Sequence, residues 1–322
     1  MARYDVFNGD ADGICALLQL RLAMPAESTL ITGVKRDIDL LKQVAAGPGD
    51  EITVLDVSMD TNKAALEACL SVGARVTYVD HHFPGEIPRH AKLTAHINTD
   101  ASCCTSLLVN DLLEGRFLPW AVTAAFGDNL NDAARKAAEP LGLDGKTLEA
   151  LGHFGVCINY NGYGAALEDL HFHPAELFKA LLPYADPRDA LADGSGPYGT
   201  LATGYAEDMA LAEAAELLVD TPAAAALLLP DAPWARRVSG VYGNALANDH
   251  PDRAHAVVTA SADGTWRISI RAPKRQQSGA DALCRRWPTG GGRAGAGGVN
   301  ALPKGDLEPF LADFAQHWVA DQ

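Results

Sequence analysis

Tyr78-Val79-Asp80-His81-His82 decides how the rest of the chain is read. Ala74 to Val79 (Ala-Arg-Val-Thr-Tyr-Val) is rich in β-formers and reads as a short buried strand. It runs directly into a carboxylate and two imidazoles, all able to hold a metal ion. Alone, the triplet is equally compatible with a polar loop. Working outward, the arrangement recurs. Asp10-Ala11-Asp12-Gly13 follows an apparent strand at Arg3 to Phe7. Asp56 follows another at Glu51 to Leu55, and Gly127-Asp128-Asn129 closes a helix-like run. In an open parallel sheet, ligands bind beyond the carboxyl ends of the strands. Three strands therefore deliver carboxylates or imidazoles to one edge. Such a set suits a pair of divalent cations, which need several ligands converging from different elements.

The surrounding pattern predicts an α/β fold. Ser28 to Val34 and Ala74 to Val79 add strands, and Lys92 to Asn98 supplies a fifth. Helices are predicted at Asp12 to Ala23, Ile38 to Ala46 and Thr61 to Val72, then at Thr105 to Leu113 and Pro119 to Phe126. This alternation argues for a parallel sheet with helices on both faces. From Ala133 to Leu229 the chain reads as mostly helical, including Lys146 to Phe154, Pro174 to Leu182 and Leu201 to Val219. A smaller α/β lobe is expected from Trp234, with a hairpin turning at Ala262-Asp263-Gly264. Gly279 to Arg286 and Leu307 to Val319 read as helices, and Val299 to Leu302 as a strand. The expected division is a metal-binding lobe at 1–190, a helical connector at 191–233 and a second lobe at 234–322.

Composition narrows the function. The 322 residues are 48% apolar and carry a formal net charge of −15. That balance disfavours long duplex nucleic acid, whose non-specific binding rests on phosphate neutralisation. A small anionic substrate held by a local basic cluster remains compatible, as does a homodimer. Met1-Ala2-Arg3-Tyr4-Asp5 leads straight into a strand, and no apolar run is long enough to span a membrane. Six cysteines without a Cys-x-x-Cys pair read as reduced thiols. A cytoplasmic protein with no membrane partner is the expectation.

Several bland readings compete with the sharp ones. Asp10-x-Asp12-Gly13 resembles the start of a calcium loop, but Arg21 stands where that loop needs a bidentate Glu. A helix N-cap is the simpler alternative. Gly290-Gly291-Gly292-Arg293-Ala294-Gly295 matches a dinucleotide fingerprint with helix and strand in reversed order, which excludes that use. It reads instead as a flexible loop or an anion cradle. Arg267, Arg271, Lys274, Arg275, Arg285, Arg286 and Arg293 cluster near it, with Asp281 opposing them. Asn159-Tyr160-Asn161-Gly162-Tyr163-Gly164 reads as a polar-aromatic turn that either contacts a base or ribose or is structural. His171-Phe172-His173 precedes Pro174 and reads as a structural helix start.

Taken together, Asn8-Gly9-Asp10-Ala11-Asp12-Gly13, Asp56, Asp80-His81-His82 and Asp128 resemble the DHH phosphoesterase superfamily, named for the triplet. The glycine-rich stretch 290–298 resembles the family's associated C-terminal substrate domain (DHHA1-type). The resemblance implies two divalent cations, Mn2+ or Mg2+, with Asp10 on one, Asp12 on the other and Asp56 bridging. His81 and Asp128 would complete the coordination, His82 would meet the substrate, and Asp80 would orient a ligand. The two ions would activate a shared water for in-line attack on phosphorus. Arg271, Gly290, Gly291, Gly292 and Arg293 are the expected substrate-binding residues, with the substrate between the lobes. Two departures stand out. Asn8 occupies a position usually held by His, and Arg293 another. An amide oxygen is a weaker ligand than imidazole for a transition metal. The implied activity is hydrolysis of a small phosphorylated nucleotide or short oligonucleotide, as in nanoRNase-like phosphodiesterases. A single-strand-specific exonuclease and a turnover-deficient metal- or nucleotide-binding protein are the alternatives.

Overall fold

A computed structural model of the chain describes residues 1–319. In order, the first elements are β1 (Arg3–Phe7), α1 (Ala11–Ala23), β2 (Thr29–Ile31), β3 (Glu51–Leu55), α2 (Met59–Ser71), β4 (Arg75–Asp80) and β5 (Leu93–Ile97). Then come α3 (Thr105–Leu112), α4 (Leu118–Gly127), α5 (Asn131–Ala138), α6 (Gly145–Asn161), α7 (Pro174–Leu181), α8 (Pro187–Ala192) and α9 (Pro197–Glu213). The last group is β6 (Glu216–Asp220), β7 (Ala224–Leu229), α10 (Pro233–Asp249), β8 (Ala254–Ala260), β9 (Trp266–Arg271), α11 (Ala280–Cys284), β10 (Gly290–Arg293), β11 (Ala296–Leu302) and α12 (Leu307–His317).

The first unit, residues 1–204, holds a parallel sheet in the order β2-β1-β3-β4-β5. Period-two alternation sends Val6 to one face and Phe7 to the other. Val6 joins Ile52, Val54, Val76 and Tyr78 under Leu66 and Leu70 of α2. Phe7 meets Phe178 of α7, ring centroids 6.0 Å apart. Burying such a side chain contributes roughly 1.5–3 kcal/mol. Helix α1 is buried from Ala11 to Arg21 and packs on α3, α4, α6 and α7. Inside this layer, Arg21 Nε donates to Asp5 Oδ2 at 2.7 Å and Nη2 donates to Oδ1, tying α1 back to β1. Ser28 Oγ also donates to Asp5, at 2.6 Å. The strand order reverses direction between β1 and β3, so a crevice is expected above their carboxyl ends.

The second unit, from Tyr205 onward, holds a mixed sheet in the order β10-β11-β9-β8-β7-β6. Only β7 and β8 pair in parallel, with α10 as their crossover. Phe310 and Phe314 of α12, with Trp318 beyond it, recur every fourth residue and cover Ala226, Val258, Ile270 and Leu283.

Three sequence expectations are corrected here. The helix expected at Ile38 to Ala46 is only a 3₁₀ turn, Leu40–Gln43. The Asn62 side chain accepts from the Leu41 amide and donates to the Ile38 carbonyl, replacing helical partners. The helical connector at 191–233 is helical only to Glu213 and then forms β6 and β7. Alanine and leucine favour a helix in isolation. In β7 they lie inside a sheet, between β6 and β8, where burial overrides propensity. The second sheet thus begins at Glu216 rather than near Trp234. Among the described residues, no helix is long and apolar enough to cross a membrane.

His255, on β8, is 1% exposed, and neither ring nitrogen has a partner among the described residues. Burial, with Arg253 and His250 nearby, pushes its pKa down to about 4. The unfolded chain therefore binds the proton more readily, so stability is complete above about 6.5 and is lost as pH falls towards 4. Between pH 6.5 and 5 the loss approaches about 1.4 kcal/mol per unit. His255→Phe should flatten this slope relative to the parent. Urea unfolding followed by tryptophan fluorescence at pH 7 and pH 5 measures the difference; equal slopes would refute it.

Candidate metal centre

The carboxyl ends of β1, β3 and β4 carry the predicted polar residues. The chain leaves β1 through Asn8-Gly9-Asp10. Asp10 is the N-cap of α1, its Oδ1 accepting from the amides of Asp12 (3.0 Å) and Gly13 (3.1 Å). The simple capping role is thus realised through Oδ1, leaving Oδ2 for other partners. Gly13 has no alternative here, because a Cβ would overlap the Asn8 carbonyl oxygen. Asp56 follows β3 with φ 57°, in the left-handed region that Asp tolerates better than most residues. Such strain needs fixing by neighbours. The Asp56 amide donates to Val79 O at 3.1 Å, and its Oδ1 accepts from Thr105 Oγ1 at 3.3 Å.

The N-terminus of α3 organises the centre from the other side. Asp12 accepts from the amides of Thr105 and Ser106, both at 2.7 Å. His81 Nδ1 lies 2.9 Å from the Cys103 carbonyl oxygen. A carbonyl only accepts, so Nδ1 is the donor and Nε2 is the nitrogen turned to the centre. That Nε2 faces Asp56 Oδ1 at 3.4 Å, Asp12 Oδ2 at 3.9 Å and Asp128 Oδ2 at 4.0 Å. Asp128 is placed by the end of α4, where Gly155 of α6 lets the helices approach closely; a methyl there would overlap the Thr123 carbonyl oxygen. His82 Nδ1 is held by Asp80 Oδ1 at 2.7 Å and lies 3.8 Å from Asp56 Oδ1. Asp56, His81 and His82 each bring a ligand atom within 4.8 Å of the others.

Burial and the neighbouring Asp10, Asp12, Asp128 and Asp80 push the Asp56 carboxyl well above its ordinary range. Burial likewise raises Asp12, aided by Asp128 and Asp10 and opposed by His81. Burial and crowding of like charges thus disfavour the ionised carboxylates unless a cation lies beside them. One imidazole and three carboxylates converge on the His81 side, a donor set that fits a divalent ion.

The Asp10 side is different. Lys35, absent from the predicted site, follows β2 and points its ammonium at Asp10 Oδ2. The same Nζ lies 3.4 Å from Asp128 Oδ1, 3.1 Å from Asn159 Oδ1 and 5.4 Å from the Tyr163 ring centroid. Burial of the Asp10 carboxyl works upward, yet Lys35 outweighs it and holds Asp10 below its ordinary value. Asn8 is buried, donates through Nδ2 to Lys35 O at 3.2 Å, and leaves Oδ1 without a partner among the described residues. The signal for Lys35 was positional: β2 is the neighbour of β1, so its carboxyl end belongs to the same rim. Thr105 and Cys103 carried no motif at all.

Other expected features take structural roles. Asn159 to Asn161 is the last turn of α6 rather than a loop, and Asn161 bonds the backbone of Phe172 in both directions. His171 Nε2 meets Tyr160 Oη at 2.8 Å, and His173 caps α7. The glycine loop is the hairpin of β10 and β11. Gly290 is required because a Cβ would overlap the Cys284 carbonyl oxygen, and Gly292 has φ 140°. Gly291 has open space beside it, and Arg293 is exposed. Arg271 directs its guanidinium at Asn244, Ser269, Ile270 and Gly240. Asp281 is not the sole counter-charge of the basic cluster: Arg275 pairs with Asp252 and Arg286 with Asp313. Arg271, Gly290, Gly291, Gly292 and Arg293 belong to the second unit, whereas Asp10, Asp12, Asp56, His81, His82 and Asp128 belong to the first.

A sequence model described as the DHH family, N-terminal domain, matches residues 4–139. No curated protein matches the chain. Among solved structures, RecJ from Thermus thermophilus, in complex with Mn2+, aligns with TM-score 0.61 at 20% identity over 99% of this chain. This chain spans about half of that one, 52%. PggH from Vibrio cholerae, described as a pGpG-specific phosphodiesterase, aligns with TM-score 0.58 at 14% identity over 100% of both chains. An exopolyphosphatase-related protein from Bacteroides fragilis aligns with TM-score 0.54 at 13% identity, covering 98% of this chain and 91% of the other.

Proposed function

Because the chain belongs, through residues 4–139, to the DHH family, we propose that it is a divalent-metal-dependent phosphoesterase acting on small phosphorylated nucleotides or short oligonucleotides. The observation that carries this reading is the convergence of His81 Nε2 with Asp12, Asp56 and Asp128. A Mn2+ or Mg2+ ion held there supplies Lewis-acid polarisation of a phosphoryl oxygen and lowers the pKa of a water. The Cys103 carbonyl keeps His81 in the ligating tautomer, and Thr105 steadies Asp56. Asp80 fixes the His82 ring through Nδ1, leaving Nε2 for the substrate. Protonated, His82 stabilises a non-bridging oxygen or protonates the leaving oxygen. No side-chain nucleophile is required. The acidity of the chain and the full-length fold it shares with a pGpG-specific phosphodiesterase support a small substrate. A single-strand-specific exonuclease is the second reading, favoured by the fold shared with RecJ. A hydrolysis panel of cyclic dinucleotides, short oligonucleotides, phosphorylated nucleotides and pyrophosphate, with chelator, Mn2+ or Mg2+, tests both. Turnover that persists in chelator would end the reading.

In this proposal Arg293, exposed on the second unit, contributes a substrate-binding charge. Losing a charge-assisted hydrogen bond costs ~1.5–3 kcal/mol, on the order of ten- to a hundredfold in kcat/KM. Arg293→Ala should show that loss on a dinucleotide, bind Mn2+ as the parent does, and hydrolyse a minimal phosphodiester nearly normally. Steady-state kinetics on both substrates decide it; equal losses would move Arg293 to the reacting phosphate.

A further inference from the structure

We propose that the Lys35 ammonium is a built-in cation that takes the place of a second metal ion, so that the centre holds a single divalent ion beside a tethered positive charge. The inference rests on the metal-dependent reading above and deepens it. Asp10 has two oxygens. Oδ1 is committed to the amides of Asp12 and Gly13, and Oδ2 faces Lys35 Nζ. A metal ion on Asp10 would have to share Oδ2 with that ammonium or displace it. Three acceptors, Asp10, Asp128 and Asn159, match the three donors of an ammonium. The backbone of Lys35 is anchored on both sides: its amide donates to Gly162 O at 2.8 Å, and its carbonyl accepts from Asn8 Nδ2.

Asp128 presents Oδ2 to the His81 side and Oδ1 to Lys35, so one carboxylate bridges an imidazole-lined metal position and the ammonium. Charge agrees. Asp10, Asp12, Asp56 and Asp128 bring four formal negative charges. One divalent ion and Lys35 leave this group slightly anionic. Two divalent ions beside Lys35 would leave it cationic, with like charges meeting at Asp10 and Asp128. Asn8 fits the same account, since a neutral amide is a weak ligand for a transition metal. The competing use of Asn8 is ligation of a second metal through its unpartnered Oδ1, and the experiment separates the two.

Mn2+ stoichiometry is measured on the full chain by equilibrium dialysis with elemental analysis, beside low-temperature electron paramagnetic resonance. The parent should bind one Mn2+ per chain and show an uncoupled spectrum. Asn8→His combined with Lys35→Met restores an imidazole and removes the ammonium. That variant should bind two Mn2+ and show the exchange-coupled dimanganese spectrum. Circular dichroism confirms that it folds, and the parent measurement stands independently of it. Two coupled ions in the parent would overturn the inference while leaving metal dependence intact. No bound Mn2+ in the parent would overturn both.

Discussion

Asp56→Ala should lose nearly all metal-dependent hydrolysis and weaken Mn2+ binding by more than about a hundredfold. Changes to groups that merely orient a ligand already cost about 10–100-fold, and Asp56 lies in the centre itself, 3.4 Å from His81 Nε2. Its loss removes the carboxylate reached by both histidines and by Thr105. The effect should not come from unfolding. Buried among Asp10, Asp12, Asp128 and Asp80, Asp56 is repelled in the metal-free chain, so removing its charge relieves that repulsion. Asp56→Asn is the sharper variant because Asn tolerates the φ of 57°. It should fold as stably as the metal-free parent and fail to bind Mn2+. Calorimetric titration beside urea unfolding measures both. Near-parental turnover in either variant would remove Asp56 from the centre.

The second large effect concerns the support beneath the site. Arg21→Met should destabilise the first unit by ~3–5 kcal/mol, the usual consequence of stranding one member of a buried ion pair. Asp5 is fully buried and Arg21 nearly so. The pair clamps β1 to α1, the two elements that present Asp10 and Asp12. Asp5→Leu combined with Arg21→Met removes both charges and should cost less than the sum of the single changes, by ~0.5–3 kcal/mol. Equilibrium unfolding of all four proteins closes the cycle. Additive losses would mean that the two side chains act independently.

The strands that carry the site were legible because their apolar runs end on charged residues: β1, β3 and β4 lie within a residue or so of their expected positions. Asp10, Asp12, Asp56 and His81 could be gathered because parallel topology forces strand ends to one rim, whereas the ligand role of Asp128, at the end of helix α4, entered through the family resemblance. Lys35 could not, since a lone lysine after a short strand has no distinguishing neighbour; only β2 lying beside β1 brings it in. The role of Cys103 is likewise invisible, because a backbone carbonyl carries no residue signature. The Ala-Leu run of β7 misleads for an energetic reason, as local helix preference is weaker than burial inside a sheet. The glycines at 290–292 read as an anion cradle, yet two are explained otherwise: Gly290 by close approach to the Cys284 carbonyl and Gly292 by its positive φ in the hairpin. Chemistry and close packing demand the same residue there.

The way Asp12 holds the start of α3 bears on how the centre assembles. Its bonds to Thr105 and Ser106 join residues 93 and 94 positions apart, and Lys35 reaches Asn159 across 124. Contacts of such long range close loops whose entropy must be overcome before any contact rewards them, which slows folding. The ligands therefore meet only after most of the first unit has collapsed. Nascent chain emerging before α3 would contain Asp10, Asp12, Asp56 and His81 yet lack the amides and carbonyl that aim two of them. On the proposed function, metal capture would then be a late event, and the ion would stabilise the finished unit by mass action rather than guide the chain towards it.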